Sequence, residues 1–177
     1  MGSGKTVVGK ALSRLTGLSM VDGDRELVHR AGRPISQIFQ EDGEEAFRKL
    51  ERSVIGDLCA QSGKVIAAGG GSFVDPENRQ LMLASGQVVC LSARPETILR
   101  RISRSRGNDK SAHGKPPVRP LLAGDDPLAR ITEPLAQRAE VYALAHHTVQ
   151  TDGLTPKQVA EKVFDLCWTG EEIEEKT

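Results

Sequence analysis

The chain has 177 residues, with 24 Lys+Arg balanced by 24 Asp+Glu and only 3% aromatic residues. That length suits one domain with a real core, while zero formal charge and few aromatics argue against a dedicated nucleic-acid binder, which would be basic overall and carry stacking platforms. The apolar runs are too short to cross a membrane, no signal-peptide pattern opens the chain, and the odd, widely spaced Cys59, Cys90 and Cys167 read as small apolar residues of a reducing, cytoplasmic compartment.

The chain opens Met1-Gly2-Ser3-Gly4-Lys5-Thr6, most of a phosphate-binding loop. In such a loop the glycines let backbone N–H groups turn around the phosphates. The lysine reaches the β/γ oxygens and the Ser/Thr hydroxyl sits on Mg²⁺. Val7, Val8, Ala11, Leu12 and Leu15 then form a helical apolar stripe, with Gly17 as its stop. A glycine loop opening a helix puts phosphates at the positive end of the helix dipole. The first glycine of G-x-x-x-x-G-K-[ST], and an apolar strand delivering the loop, are expected upstream of Met1. Without that strand, neighbouring strand edges should be exposed and the loop poorly anchored.

Strands are predicted over 19–21, 64–68, 87–92 and 148–150, and helices over 24–31, 43–61, 76–84, 95–103, 127–146 and 155–168. This alternation predicts an α/β fold, a parallel sheet with helices on both faces and right-handed crossovers. Ligands of such sheets sit at the carboxyl ends of the strands. Residues 1–170 are expected to form one domain, with 171–177 as an acidic, frayed tail.

Asp22-Gly23-Asp24 ends the first predicted strand. One carboxylate can hold Mg²⁺ through water and the other can accept the proton of a substrate hydroxyl. The competing reading is helix capping before Arg25. In the 43–61 helix, Phe47, Leu50, Val54 and Leu58 form an apolar stripe with Arg48 at its edge. Arg48 can present its fork to a carboxylate, or pair with Glu44 or Glu51. Gly69-Gly70-Gly71 follows the second predicted strand and allows a close backbone approach by a ligand, with bare N–H groups as donors.

Residues 100–120 carry seven basic residues and one acid, Asp109, and read as a mobile lid (about 103–120) that would bring an arginine to the transferred phosphoryl group. Arg138 and Tyr142 lie on the helix that follows, where a solvated face is the plainer reading.

Together these pieces resemble the shikimate kinase family. The matching residues are Gly2-Ser3-Gly4-Lys5-Thr6, Asp22-x-Asp24, Gly32-Arg33-x-Ile35-x-x-Ile38-Phe39, Phe47-Arg48-x-x-Glu51, Gly69-Gly70-Gly71, Val118-Arg119-Pro120-Leu121-Leu122 and Arg138-Ala139-x-x-Tyr142. They run in the family's order over nearly the whole chain. The resemblance implies a three-layer P-loop kinase fold with a five-stranded parallel sheet, its first strand absent from this chain. It also implies ATP-dependent phosphorylation of the 3-hydroxyl of shikimate in aromatic amino-acid biosynthesis.

Carried over by residue, the resemblance gives Gly2, Ser3, Gly4, Lys5, Thr6 and Val7 to the nucleotide, with Lys5 on the β/γ phosphates. Thr6 and Asp22 support Mg²⁺. Asp24 binds the shikimate hydroxyls and orients the attacking one. Arg48 and Arg138 clamp the carboxylate, the backbone of Gly69, Gly70 and Gly71 closes on the ring, and Phe39 and Phe47 wall it. Arg119 reaches the γ-phosphate and Arg101 lies on the adenine. A cytoplasmic monomer without nucleic-acid or membrane partners is the expectation. The lid is longer than is usual for the family, with 108–117 inserted. A gluconate-kinase-like enzyme of the same fold, or an impaired P-loop binding protein, is the alternative.

Overall fold

The computed structural model describes residues 2–108 and 126–168. Its elements run α1(Lys5–Thr16), β1(Ser19–Asp22), α2(Gly23–Ala31), α3(Ile35–Glu41), α4(Gly43–Cys59), β2(Lys64–Ala67), α5(Pro76–Ser85), β3(Val89–Ser92), α6(Pro95–Asn108), α7(Ala129–Tyr142), β4(His147–Gln150) and α8(Pro156–Cys167). The alternation expected from the sequence is therefore present.

Each strand is four residues long, and they pair in parallel as β1 with β2 and β3 with β4. The registers set Asp22 beside Ala67 and Ser92 beside Gln150, so each pair ends level. Parallel neighbours need a helical crossover, which α2 to α4 supply between β1 and β2. Among the described residues the two pairs share no ladder, so both outer edges of each pair are without a strand partner.

Three apolar clusters hold the layers together. Val8 and Leu12 of α1 pack on Val149 of β4 and on Val159, Ala160 and Val163 of α8. Leu27, Ile38, Phe47, Val54 and Leu58 join α2, α3 and α4. Ala93, Ile98, Ile102 and Ile131 tie α6 to α7. Val54 and Val159 are each 1% exposed, and burying a side chain of that size stabilises by about 1.5–3 kcal/mol.

The terminators are local. Gly17 stops α1 in the left-handed region, φ 74°, and its N–H bonds to Ser13 O. Thr155 and Gln158 form a reciprocal capping box at α8. The helix predicted over 43–61 stops at Cys59, and the one predicted over 127–146 runs from Ala129 to Tyr142 with only turns beyond. The helix predicted over 95–103 continues to Asn108. The three cysteines are free and half-buried. Among the described residues no helix is long and apolar enough to cross a membrane.

Candidate active site

The phosphate loop feeds straight into α1. Gly2 has φ 77° and Gly4 φ 97°, values that L side chains rarely adopt. A Cβ on Gly2 would stand 2.8 Å from Ile98 Cγ2 of α6. The N-terminus of α1 has no side-chain cap, so its first N–H groups can turn to an anion. From α6, Arg101 Nη1 donates to Ser3 O at 3.2 Å and to Thr151 Oγ1 at 2.9 Å, while Nη2 donates to Thr151 O at 2.7 Å. A cleft of about 700 Å³ is lined by residues 2–8, Asp22, Asp24, Arg101, Thr151 and Pro156.

Asp22 realises both readings of its sequence position. Its Oδ1 accepts Arg25 N–H at 3.2 Å as the N-cap of α2, and its Oδ2 accepts the Thr6 hydroxyl at 2.8 Å. Asp24 follows in the first turn of α2. It faces the open cleft and keeps accessible surface, yet protein surrounds most of its carboxyl. Burial first and the Asp22 charge second push that carboxyl above the usual range, against the pull of Lys5. Burial lowers the Lys5 ammonium, and Asp24 and Asp22 partly offset this. Lysine and two carboxylates thus form one electrostatic unit at the mouth of the loop.

Each glycine of the 69–71 turn meets a different side chain. A Cβ on Gly69 would lie 2.6 Å from Asp24 Oδ1 and 2.8 Å from Ser72 Oγ. A Cβ on Gly71 would lie 3.3 Å from Arg48 Nη1. Between them, Gly70 O accepts the Tyr142 hydroxyl at 2.5 Å. The turn therefore touches α2, α4 and α7 within three residues.

Arg48 donates from Nη1 to Glu51 Oε2 at 2.8 Å and reaches Glu44 at 3.2 Å. The Glu44 and Glu51 pairs foreseen as surface alternatives are both made, but Glu51 is only 4% exposed and also accepts Ser72 Oγ at 2.8 Å. The guanidinium lies 5.2 Å from the Phe47 ring centre, and Phe39 packs 4.4 Å from Phe47. Arg138 is half-buried one turn before Tyr142 on α7. Among the described residues it makes no ion pair or hydrogen bond.

The structure thus brings Gly2, Ser3, Gly4, Lys5, Thr6, Val7, Asp22, Asp24 and Arg101 to one cleft, with Gly69, Gly70, Gly71, Arg48 and Phe47 joined to it through Asp24. Phe39 enters through Phe47 and is 40% exposed. Arg119 and residues 109–120 of the expected lid lie outside the described residues. Ser72 and the contact of Tyr142 were missed. The second was signalled only by Tyr142 standing four residues after Arg138.

A glycine loop entering a helix, a hydroxyl–carboxylate pair beside it and a second carboxylate lining the same cleft define a P-loop phosphotransferase. The family model described as shikimate kinase matches residues 1–168. The chain belongs to the shikimate kinase family. It is 41% identical over 168 residues to a shikimate kinase of Thermus thermophilus, covering 95% of this chain and 86% of that one. It is 37% identical over 164 residues to that of Caldanaerobacter subterraneus, covering 93% and 90%. The solved shikimate kinase from Acinetobacter baumannii in complex with shikimate superposes with a TM-score of 0.81 at 32% identity, covering 94% of this chain and 87% of that one. The Bacteroides thetaiotaomicron enzyme also gives 0.81, at 28% identity, covering 94% and 93%.

Proposed function

We propose that the protein transfers the γ-phosphoryl group of ATP to the 3-hydroxyl of shikimate, giving shikimate 3-phosphate and ADP in aromatic amino-acid biosynthesis. One observation carries this reading: Asp24 lines the phosphate cleft and also abuts the glycine turn that packs on Arg48. The acceptor hydroxyl and the acceptor carboxylate thus have their recognition groups on one continuous surface, reached from the phosphates.

Lys5 and the free N–H groups at the start of α1 hold the phosphates. Thr6 and Asp22 offer two hard oxygen donors already 2.8 Å apart, the kind of partial ligand set that suits a largely hydrated Mg²⁺. When bound, that ion neutralises charge on the β- and γ-oxygens. Arg48 and Arg138 take the shikimate carboxylate, the backbone of residues 69–71 covers the ring, and Phe39 and Phe47 form its apolar wall. Asp24 orients the 3-hydroxyl and accepts its proton as the oxygen bonds to phosphorus and the bond to the β–γ bridging oxygen breaks. Arg119, given its role by family resemblance, adds charge at the γ-phosphate, and Arg101 and Pro156 border the adenine. Residues 1–170 act as one domain whose lid begins after α6, and the protein works as a cytoplasmic monomer.

The test is ADP release with ATP, Mg²⁺ and either shikimate or gluconate. Turnover with shikimate and little with gluconate is expected. The reverse preference sinks the assignment.

A further inference from the structure

Tyr142 reaches the glycine turn from α7 without lining the phosphate cleft. Its hydroxyl donates to Gly70 O across 72 positions of sequence. It is half-buried at the C-terminal turn of α7, one turn past Arg138. Residues i and i+4 of a helix share a face, so Arg138 and the tyrosine address the same side of the molecule.

The geometry of the peptide gives this bond a consequence. The carbonyl of Gly70 and the N–H of Gly71 belong to one peptide plane, and no described peptide is cis, so the two groups point in opposite directions. A hydroxyl that fixes the carbonyl therefore fixes the amide as well. Glycines flank this plane on both sides, and glycine rotates about φ and ψ with little steric resistance. Without a fastening, the plane could turn and present an acceptor where an anionic substrate needs a donor. The two neighbours are fastened differently: Gly69 is backed by Asp24 and Ser72, and Gly71 by Arg48.

We infer that Tyr142 is a positioning residue for shikimate: by holding Gly70 O, it aims the Gly71 N–H into the substrate site and sets Arg138 and the glycine turn at a fixed separation. The tyrosine touches no reacting atom. Its effect falls on substrate binding, through the glycine turn, and leaves the nucleotide half alone. This inference rests on the shikimate kinase reading.

The test is Tyr142→Phe, which keeps the ring and removes only the donor. The KM for shikimate is expected to rise roughly three- to tenfold, the scale of one lost hydrogen bond. The KM for ATP and kcat are expected to stay within about twofold, with the thermal midpoint nearly unchanged. As a second measurement, the Gly71 amide resonance should move on adding shikimate to the parent, and that shift should shrink in the variant. An unchanged shikimate KM, an equal rise in both KM values, or a full Gly71 shift in the variant overturns the proposal. A parent protein that turns over no shikimate instead overturns the functional reading, so the two failures are distinguishable.

Discussion

The Arg48 guanidinium is seated on Glu51, with Nη1 to Oε2 at 2.8 Å and the Glu51 side chain only 5% exposed. The other Glu51 oxygen takes the Ser72 hydroxyl at 2.8 Å. One buried carboxylate therefore fastens both Arg48 and the residue that follows the three glycines. On the proposed reading, Glu51 acts on shikimate through these two partners.

Glu51→Ala should leave Ser72 without its acceptor and Arg48 without its seat. Arg48 keeps 30% of its side chain in water, so the cost falls below that of a fully buried pair, at about 2–3 kcal/mol of folding stability. Denaturant unfolding checks this. The KM for shikimate should rise about tenfold while that for ATP holds, because the displaced guanidinium is no longer preorganised.

Arg48→Ala and Arg138→Ala should each weaken shikimate binding by about two orders of magnitude, the scale of a desolvated charge-assisted contact, with little effect on ATP. The two variants should differ in stability. Arg48→Ala strips the partner from buried Glu51, whereas Arg138 has no ion pair among the described residues and its loss should cost less than about 0.5 kcal/mol. Paired titrations with shikimate and nucleotide, beside unfolding curves, separate the effects. Equal loss of both ligands would mean that the clamp is misassigned.

Much of this site was legible because its parts are local in sequence. The phosphate loop, Asp22-x-Asp24 and the triple glycine each advertise a backbone need or a charge at fixed spacing. The α/β alternation followed from the same reading. Other features depend on pairing across the chain. The division into two strand pairs is set by ladders between residues 45 and 58 positions apart, which no local pattern encodes. The seven-residue α3 was read only as a motif, since its apolar Ile35, Ile38 and Phe39 make too short a run to declare a period. α7 runs through Pro134. Tyr142 looked like a solvated helix residue because its partner is a carbonyl 72 residues earlier.

Gly69→Ala tests how closely the turn is built on Asp24, the proposed proton acceptor. The new Cβ would fall 2.6 Å from Asp24 Oδ1 and 2.8 Å from Ser72 Oγ. Both are ends of movable side chains, so the fold should survive with a loss of about 1–2 kcal/mol. The shifted Asp24 is the functional casualty. Displacing a reacting group by about 1 Å costs on the order of a hundredfold, and kcat should fall by that scale while nucleotide binding stays close to the parent. A variant with parental kcat would detach Asp24 from the chemistry.

The pH dependence follows from the direction of the Asp24 shift. Burial first and the Asp22 charge second raise its carboxyl above the ordinary 3.8, while Lys5 opposes them. Asp24 must be ionised to accept the hydroxyl proton, so the acid limb of kcat/KM should lie above the range of an ordinary aspartate. In the metal-free protein Asp22→Asn removes the second cause, and the Asp24 carboxyl should titrate at lower pH than in the parent. Stability carries the same signature with its own sign. Between 3.8 and the raised value the folded protein holds a proton that the unfolded chain has released, so this group makes stability fall as pH rises through that window. Asp24→Asn should abolish that fall, leaving the variant more stable than the parent above the window, while cutting kcat by about 10²–10⁴. Denaturant midpoints measured across the acid range, beside the pH–rate profiles, decide it. An Asp24 carboxyl that titrates unchanged in metal-free Asp22→Asn would show that Asp22 does not set its ionisation.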